Sequence, residues 1–180
     1  IQSYEDTPSE LIFDHSDEIL FPDHPIGRNI LGSEQSLKRF TNGLVDRFRE
    51  ENYSTEEVVL CSVGNLEFSK LKKYVDNYFG GLSGCSRTRK RYAPQAQTGI
   101  VKQLERHTYQ KHCVISGTAY SYSDKRRMGL HLLNNILGGP GMNSRLNMAL
   151  RERRGFSYSA ESHYLAYTDS GAINIYFSSD

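Results

Sequence analysis

The chain has 180 residues, with 22 Lys and Arg against 21 Asp and Glu, a formal net charge of +1. That balance gives no electrostatic reason to expect nucleic acid or an anionic membrane as partner, and no apolar run approaches the length of a membrane span. The length allows one good-sized core or two small ones, and the three cysteines, Cys61, Cys85 and Cys113, hold no C-x-x-C pair and read as buried or free thiols.

Ile1 to Tyr4 read as a helix cut in its middle. Thr7-Pro8-Ser9-Glu10 reads as a capping box with Pro at the first helical position. Leu11, Ile12, His15 and Ile19 then form one face of a helix that ends near Phe21-Pro22. His24 to Gly32 is an irregular connection. Leu37, Phe40, Leu44 and Phe48 resume a helical face, broken at Thr41-Asn42-Gly43 into a short helix and a longer one capped by Thr41. Val58 to Val63 is a nearly continuous apolar run bounded by Gly64-Asn65 and predicts a buried strand. Phe68, Leu71, Val75, Tyr78 and Phe79 predict a helix closed by Gly80-Gly81.

Residues 83–98, with the basic run Arg87 to Arg91, read as a solvated linker. Val101–Glu105 and His112–Tyr120 read as two strands. Ser123 or Asp124 caps a helix whose apolar face is Met128, Leu132, Leu133, Ile136 and Leu137. Gly138, Gly139, Pro140 and Gly141 must break the backbone. A short helix then restarts at Ser144, carries Leu146, Ala149 and Leu150 on one side, and stops at Gly155, a C′ residue in the left-handed conformation. Phe156, Tyr158 and Ala160 alternate as a strand, and Thr168 to Gly171 turns it back into another with Ile173, Ile175 and Phe177 on one face.

Three ordered pieces carry a resemblance: HPIGR-ILG from His24, GGPGM-SRL from Gly138, and an Arg followed seven residues later by a Tyr, Arg151 and Tyr158. Together they resemble the insulinase and mitochondrial processing peptidase family of zinc metalloproteases, the pitrilysin-like inverzincins. The resemblance implies an α+β fold: a mixed sheet with helices packed on one face, in αβ half-domains of which this chain holds two partial repeats in permuted order. Residues 1–82 would be the C-terminal part of the first half, 83–98 a linker, and 99–180 the N-terminal part of the second half. Such a piece folding on itself, or pairing with the tandem half or as a domain-swapped dimer, are all open.

The resemblance further implies a fragment of a zinc-dependent metalloendopeptidase that cleaves peptides or proteins. The zinc of the parent protein would be bound elsewhere. None of the six histidines here begins H-x-x-E-H, so no metal ligand is assigned to this chain and it is expected to be inactive alone. Tyr158 is implied as the oxyanion donor and Arg151 as the substrate clamp, with Gly138, Gly139, Gly141 and Met142 in a loop that contacts substrate. The alternative is a fragment of a non-catalytic partner or scaffold subunit. The residues before Ile1 would discriminate, since H-x-x-E-H followed by Glu means enzyme. Compartment and substrate sequence are not legible.

Overall fold

The fold, taken from a computed structural model, is described for Tyr4 and for residues 6–82 and 91–180. The readings that fall on residues 1–3 and 83–90 (the cut helix, most of the basic run and Cys85) lie outside the described residues. The chain forms two compact units, Ile1–Ser33 with Tyr92–Asp180, and Glu34–Arg91.

In the first unit, α1 spans Pro8–Leu20 and starts, as the sequence predicts, with Pro at its first position. Thr7 closes the first turn through its carbonyl, which accepts from the Glu10 and Leu11 N–H groups, rather than through its hydroxyl. After a connection that carries the isolated turn Pro25–Gly27 and the return segment from Tyr92, strand β1 (Lys111–Thr118) leads into helix α5 (Arg127–Gly138). The intervening helices α2 (Glu34–Leu37), α3 (Asn42–Asn52) and α4 (Phe68–Phe79) belong to the other unit. Strands β2 (Ser159–Ala166) and β3 (Gly171–Ser179) complete a three-stranded antiparallel sheet in the order β1-β3-β2. The α+β class is therefore what the chain forms.

Alternation along the strands sorts the side chains onto two faces. Ala160, Ser162 and Tyr164 pair across to Phe177, Ile175 and Ile173, and α5 lies on this face, with Ser162 Oγ donating to the Asn134 carbonyl at 2.9 Å. On the opposite face Val114, Ser116, Asn174 and Tyr176 meet α1, whose Ser16 hydroxyl bonds that of Ser116 and whose Phe13 packs on Tyr176 at 5.4 Å. Helices thus cover both faces, where the resemblance implied one. The physical reason is that each face carries large side chains that need cover. A small core of Leu20, Phe21 and Ala172, with Ile26, Ala96 and Tyr167 against it, seals the end of α1.

Two expected strands do not form. Val101–Glu105 and Val58–Val63 have the composition of strands but no ladder partner among the described residues. Val101 and Val63 are exposed rather than buried. β-Propensity expresses fit to neighbouring strands, and without a neighbour it fixes nothing.

The second unit holds α2 (Glu34–Leu37), α3 (Asn42–Asn52) and α4 (Phe68–Phe79). The Thr41 hydroxyl caps α3 by accepting from Leu44 N–H at 3.3 Å, as read from the sequence. Gly80 ends α4. Among its described residues no large apolar side chain is buried: Phe40, Leu44, Phe48, Phe68 and Tyr78 all face outward.

Burial leaves one carboxylate ill-solvated. Asp17, on α1, has a buried Oδ1 with no hydrogen-bond partner among the described residues, and burial first and the nearby Asp14 charge second push its pKa up to about 6. The folded state therefore holds this proton more tightly than the unfolded chain does. The contribution of this group to stability is greatest below about pH 4, falls as pH rises through about 6, and is lost above. The full linkage for such a shift is about 3 kcal/mol, which partial solvation reduces to about 1–2 kcal/mol. Asp17→Asn is expected to be more stable than the parent chain by that amount at pH 7 and no more stable at about pH 4. Urea unfolding at both pH values measures it, and equal gains at the two would remove the titration as the cause.

Candidate functional site

α5 ends where its sequence turns to glycine. Gly139 N–H still bonds the Asn135 carbonyl at 3.1 Å, and Gly138 presses so closely on β2 that an added Cβ would sit 2.5 Å from Ser162 N and 2.8 Å from Glu161 C. A side chain there is excluded by backbone, so the glycine is a packing requirement. The loop then closes through Ser144 N–H to the Gly141 carbonyl at 3.0 Å, and Asn147 Nδ2 donates to Ser144 Oγ at 2.9 Å.

The helix that restarts at Ser144 departs from the regular form the sequence predicts. Asn147–Glu152 is a π-helical turn: Arg153 N–H reaches back to the Met148 carbonyl at 3.2 Å, five residues earlier. Gly155 closes it with φ of 61°, the left-handed conformation expected from the sequence. Ser157 then fixes the entry to β2, its buried hydroxyl donating to the carbonyls of Ser159 (2.6 Å) and Ser178 (2.8 Å). Tyr158 is thereby set at the start of β2, with its N–H on the Ser178 carbonyl at 3.2 Å.

These devices bring Arg151 and Tyr158 together. Both line a cavity of about 600 Å³ walled by β2, the end of α5 and the glycine loop, which includes Gly138, Gly139 and Met142. Both also line a neighbouring cavity of about 800 Å³ that includes Phe156, Ser157 and Asp180. Of the residues singled out in the sequence, Gly141 lies in neither lining and serves the turn instead. Tyr158 is 64% exposed, and its hydroxyl donates to Asp180 Oδ2 at 3.1 Å. That hydrogen bond, and then the carboxylate's charge, raise the phenol's pKa. The Arg151 guanidinium is exposed, with only a long 3.9 Å approach to Glu152, and is available to an incoming acceptor.

Chemically the site offers a phenol O–H and a guanidinium beside a glycine loop, all donors. That suits an uncharged or anionic oxygen such as a peptide carbonyl. A zinc centre does not fit the residues present. Among the described residues no group of three His, Cys, Asp or Glu side chains converges, and no H-x-x-E-H occurs in the sequence. No helix among the described residues is long and apolar enough to cross a membrane. Sequence reasoning missed Ser157 and Asp180, whose partners lie about one hairpin away, and the π-turn, which leaves no periodic signal.

With this geometry in hand, the comparisons with known proteins fall into place. Residues 39–180 match the family described as the peptidase M16 inactive domain, and the chain belongs to that peptidase family. An uncharacterized zinc protease of Bacillus subtilis is 30% identical over 176 residues, which is 98% of this chain and 42% of that protein. One from Mycobacterium tuberculosis is 33% identical over 178 residues, 96% of this chain and 40% of that protein. The crystal structure of a peptidase M16 inactive domain from Pseudomonas fluorescens superposes with a TM-score of 0.85 at 22% identity, over 99% of this chain and 43% of that one. A protease from Helicobacter pylori gives a TM-score of 0.77 at 15% identity, over 98% of this chain and 44% of that one. The last two speak for the fold alone. The chain spans about two fifths of the length of the curated relatives it matches.

Proposed function

We propose that this chain supplies the carbonyl-gripping side of the cleft of a zinc-dependent metalloendopeptidase, whose metal and general base are held by residues outside it. The observation that carries the reading is the shared lining of Arg151 and Tyr158, two exposed donors walled by Gly138, Gly139 and Met142. In this role an extended peptide or protein substrate lies along the cavity. Arg151 clamps a backbone carbonyl, and the Tyr158 hydroxyl meets the oxygen on which charge develops. The zinc-protease names of the relatives favour a catalytic parent over the scaffold-subunit alternative. Residues 1–82 are read as the end of the first peptidase half and 99–180 as the start of the second, joined by a linker over 83–98. The outward-facing apolar residues of the second unit, Phe40, Phe48 and Phe68 among them, support pairing with a tandem half or a swapped copy.

The test is Arg151→Ala in the longer parent protein, followed by steady-state kinetics on an unstructured peptide. Loss of a clamp that holds ground state and transition state alike is expected to raise KM about tenfold with kcat little changed. An unchanged KM would remove Arg151 from substrate binding.

A further inference from the structure

We infer that Asp180 is a positioning residue of this site: its carboxylate fixes the direction of the Tyr158 hydroxyl. The inference rests on the reading of Tyr158 as a substrate donor but is tested apart from it. Antiparallel pairing of Ser159 with Ser178 places the start of β2 beside the end of β3, so Tyr158 and Asp180 leave the sheet as neighbours. Ser157 pins the backbone there to both strands, while the exposed phenol is free to turn about its C–O bond. Asp180 Oδ2 supplies the acceptor, at 3.1 Å.

Three further observations agree. Asp180 lines the same cavity as Arg151 and Tyr158 and is the only carboxylate in that lining among the described residues. The other charged group of the lining is the Arg151 guanidinium, from the π-turn; Glu152 approaches Arg151 at 3.9 Å but lines neither cavity. The Asp180 hydrogen bond, and then the charge of its carboxylate, raise the Tyr158 phenol above its ordinary pKa.

The chain is labelled with ¹³Cζ-tyrosine, and the Tyr158 resonance is identified by its disappearance in Tyr158→Phe. It is then titrated from about pH 8 to about pH 11, across the ordinary phenol range. Asp180→Ala is expected to make Tyr158 more acidic, its midpoint falling back toward the ordinary phenol value. Asp180→Asn, which keeps an acceptor without the charge, is expected to restore the Tyr158 chemical shift at neutral pH but not the raised midpoint. The Tyr164 and Tyr176 resonances report that the fold is intact in each variant. A Tyr158 midpoint unmoved by Asp180→Ala, with those two unchanged, overturns the inference whatever the turnover of the parent protein. Turnover indifferent to Tyr158, with a midpoint that does move, leaves Asp180 in its role and overturns the proposed function instead.

Discussion

Tyr158→Phe, made in the longer parent protein, is expected to lower kcat about a hundredfold or more while KM changes little. A donor aimed at charge that grows during the reaction acts on the transition state and hardly on the bound substrate. The substitution removes one oxygen from an exposed ring. Its partner Asp180 is also at the surface, so neither is left as a buried orphan and the fold should be unaffected. Steady-state kinetics with a peptide substrate decide it. Unchanged turnover would mean that the phenol's place beside Arg151 is structural, a strand-end tyrosine bonded to a neighbouring carboxylate.

The second large effect falls on the scaffold of the site. Gly138→Ala is expected to destabilise the chain by about 3 kcal/mol or more, because the new Cβ meets main chain rather than a side chain that can turn away. The obstruction is Ser162 N at 2.5 Å and Glu161 C at 2.8 Å, with Leu146 Cδ1 at 2.9 Å. Relief requires α5 to lift from β2, which breaks the Ser162–Asn134 hydrogen bond and reshapes the wall shared with Arg151 and Tyr158. Denaturant unfolding should show a lower midpoint with the slope retained. A loss under about 1 kcal/mol would mean that helix and sheet are not locked together at this point.

Much of this architecture could be read in the sequence wherever the signal is local. Pro8 at a helix start, the Thr41 cap, the apolar period from Phe68 to Phe79 and the left-handed turn at Gly155 each depend on a few adjacent residues, and each is found as expected. The turn after Ala166 likewise announces the β2–β3 hairpin. Failure begins where a partner far along the chain is needed. Val58–Val63 and Val101–Glu105 look like strands in isolation, yet a ladder is a property of two segments, and neither finds its second among the described residues.

The site divides the same way. Arg151, Tyr158 and the glycine loop are singled out by an ordered motif, and a backbone break in the Gly138–Gly141 run follows from composition, the helix ending at Gly138. Asp180 and Ser157 were not visible. Their roles come from the register of β2 against β3, which a linear reading does not supply. The π-turn at Asn147–Glu152 was read as an ordinary helix, because one changed hydrogen-bond step does not alter the spacing of Leu146, Ala149 and Leu150.

The central claim is that one face of this chain grips an extended peptide through its backbone, and amide chemical-shift mapping with an unstructured peptide tests it without any turnover. The account predicts perturbations concentrated at Gly138, Gly139, Met142, Arg151 and Tyr158, weakened by Arg151→Ala. Perturbations absent at saturating peptide, or confined to the face of the sheet that α1 covers, would contradict it.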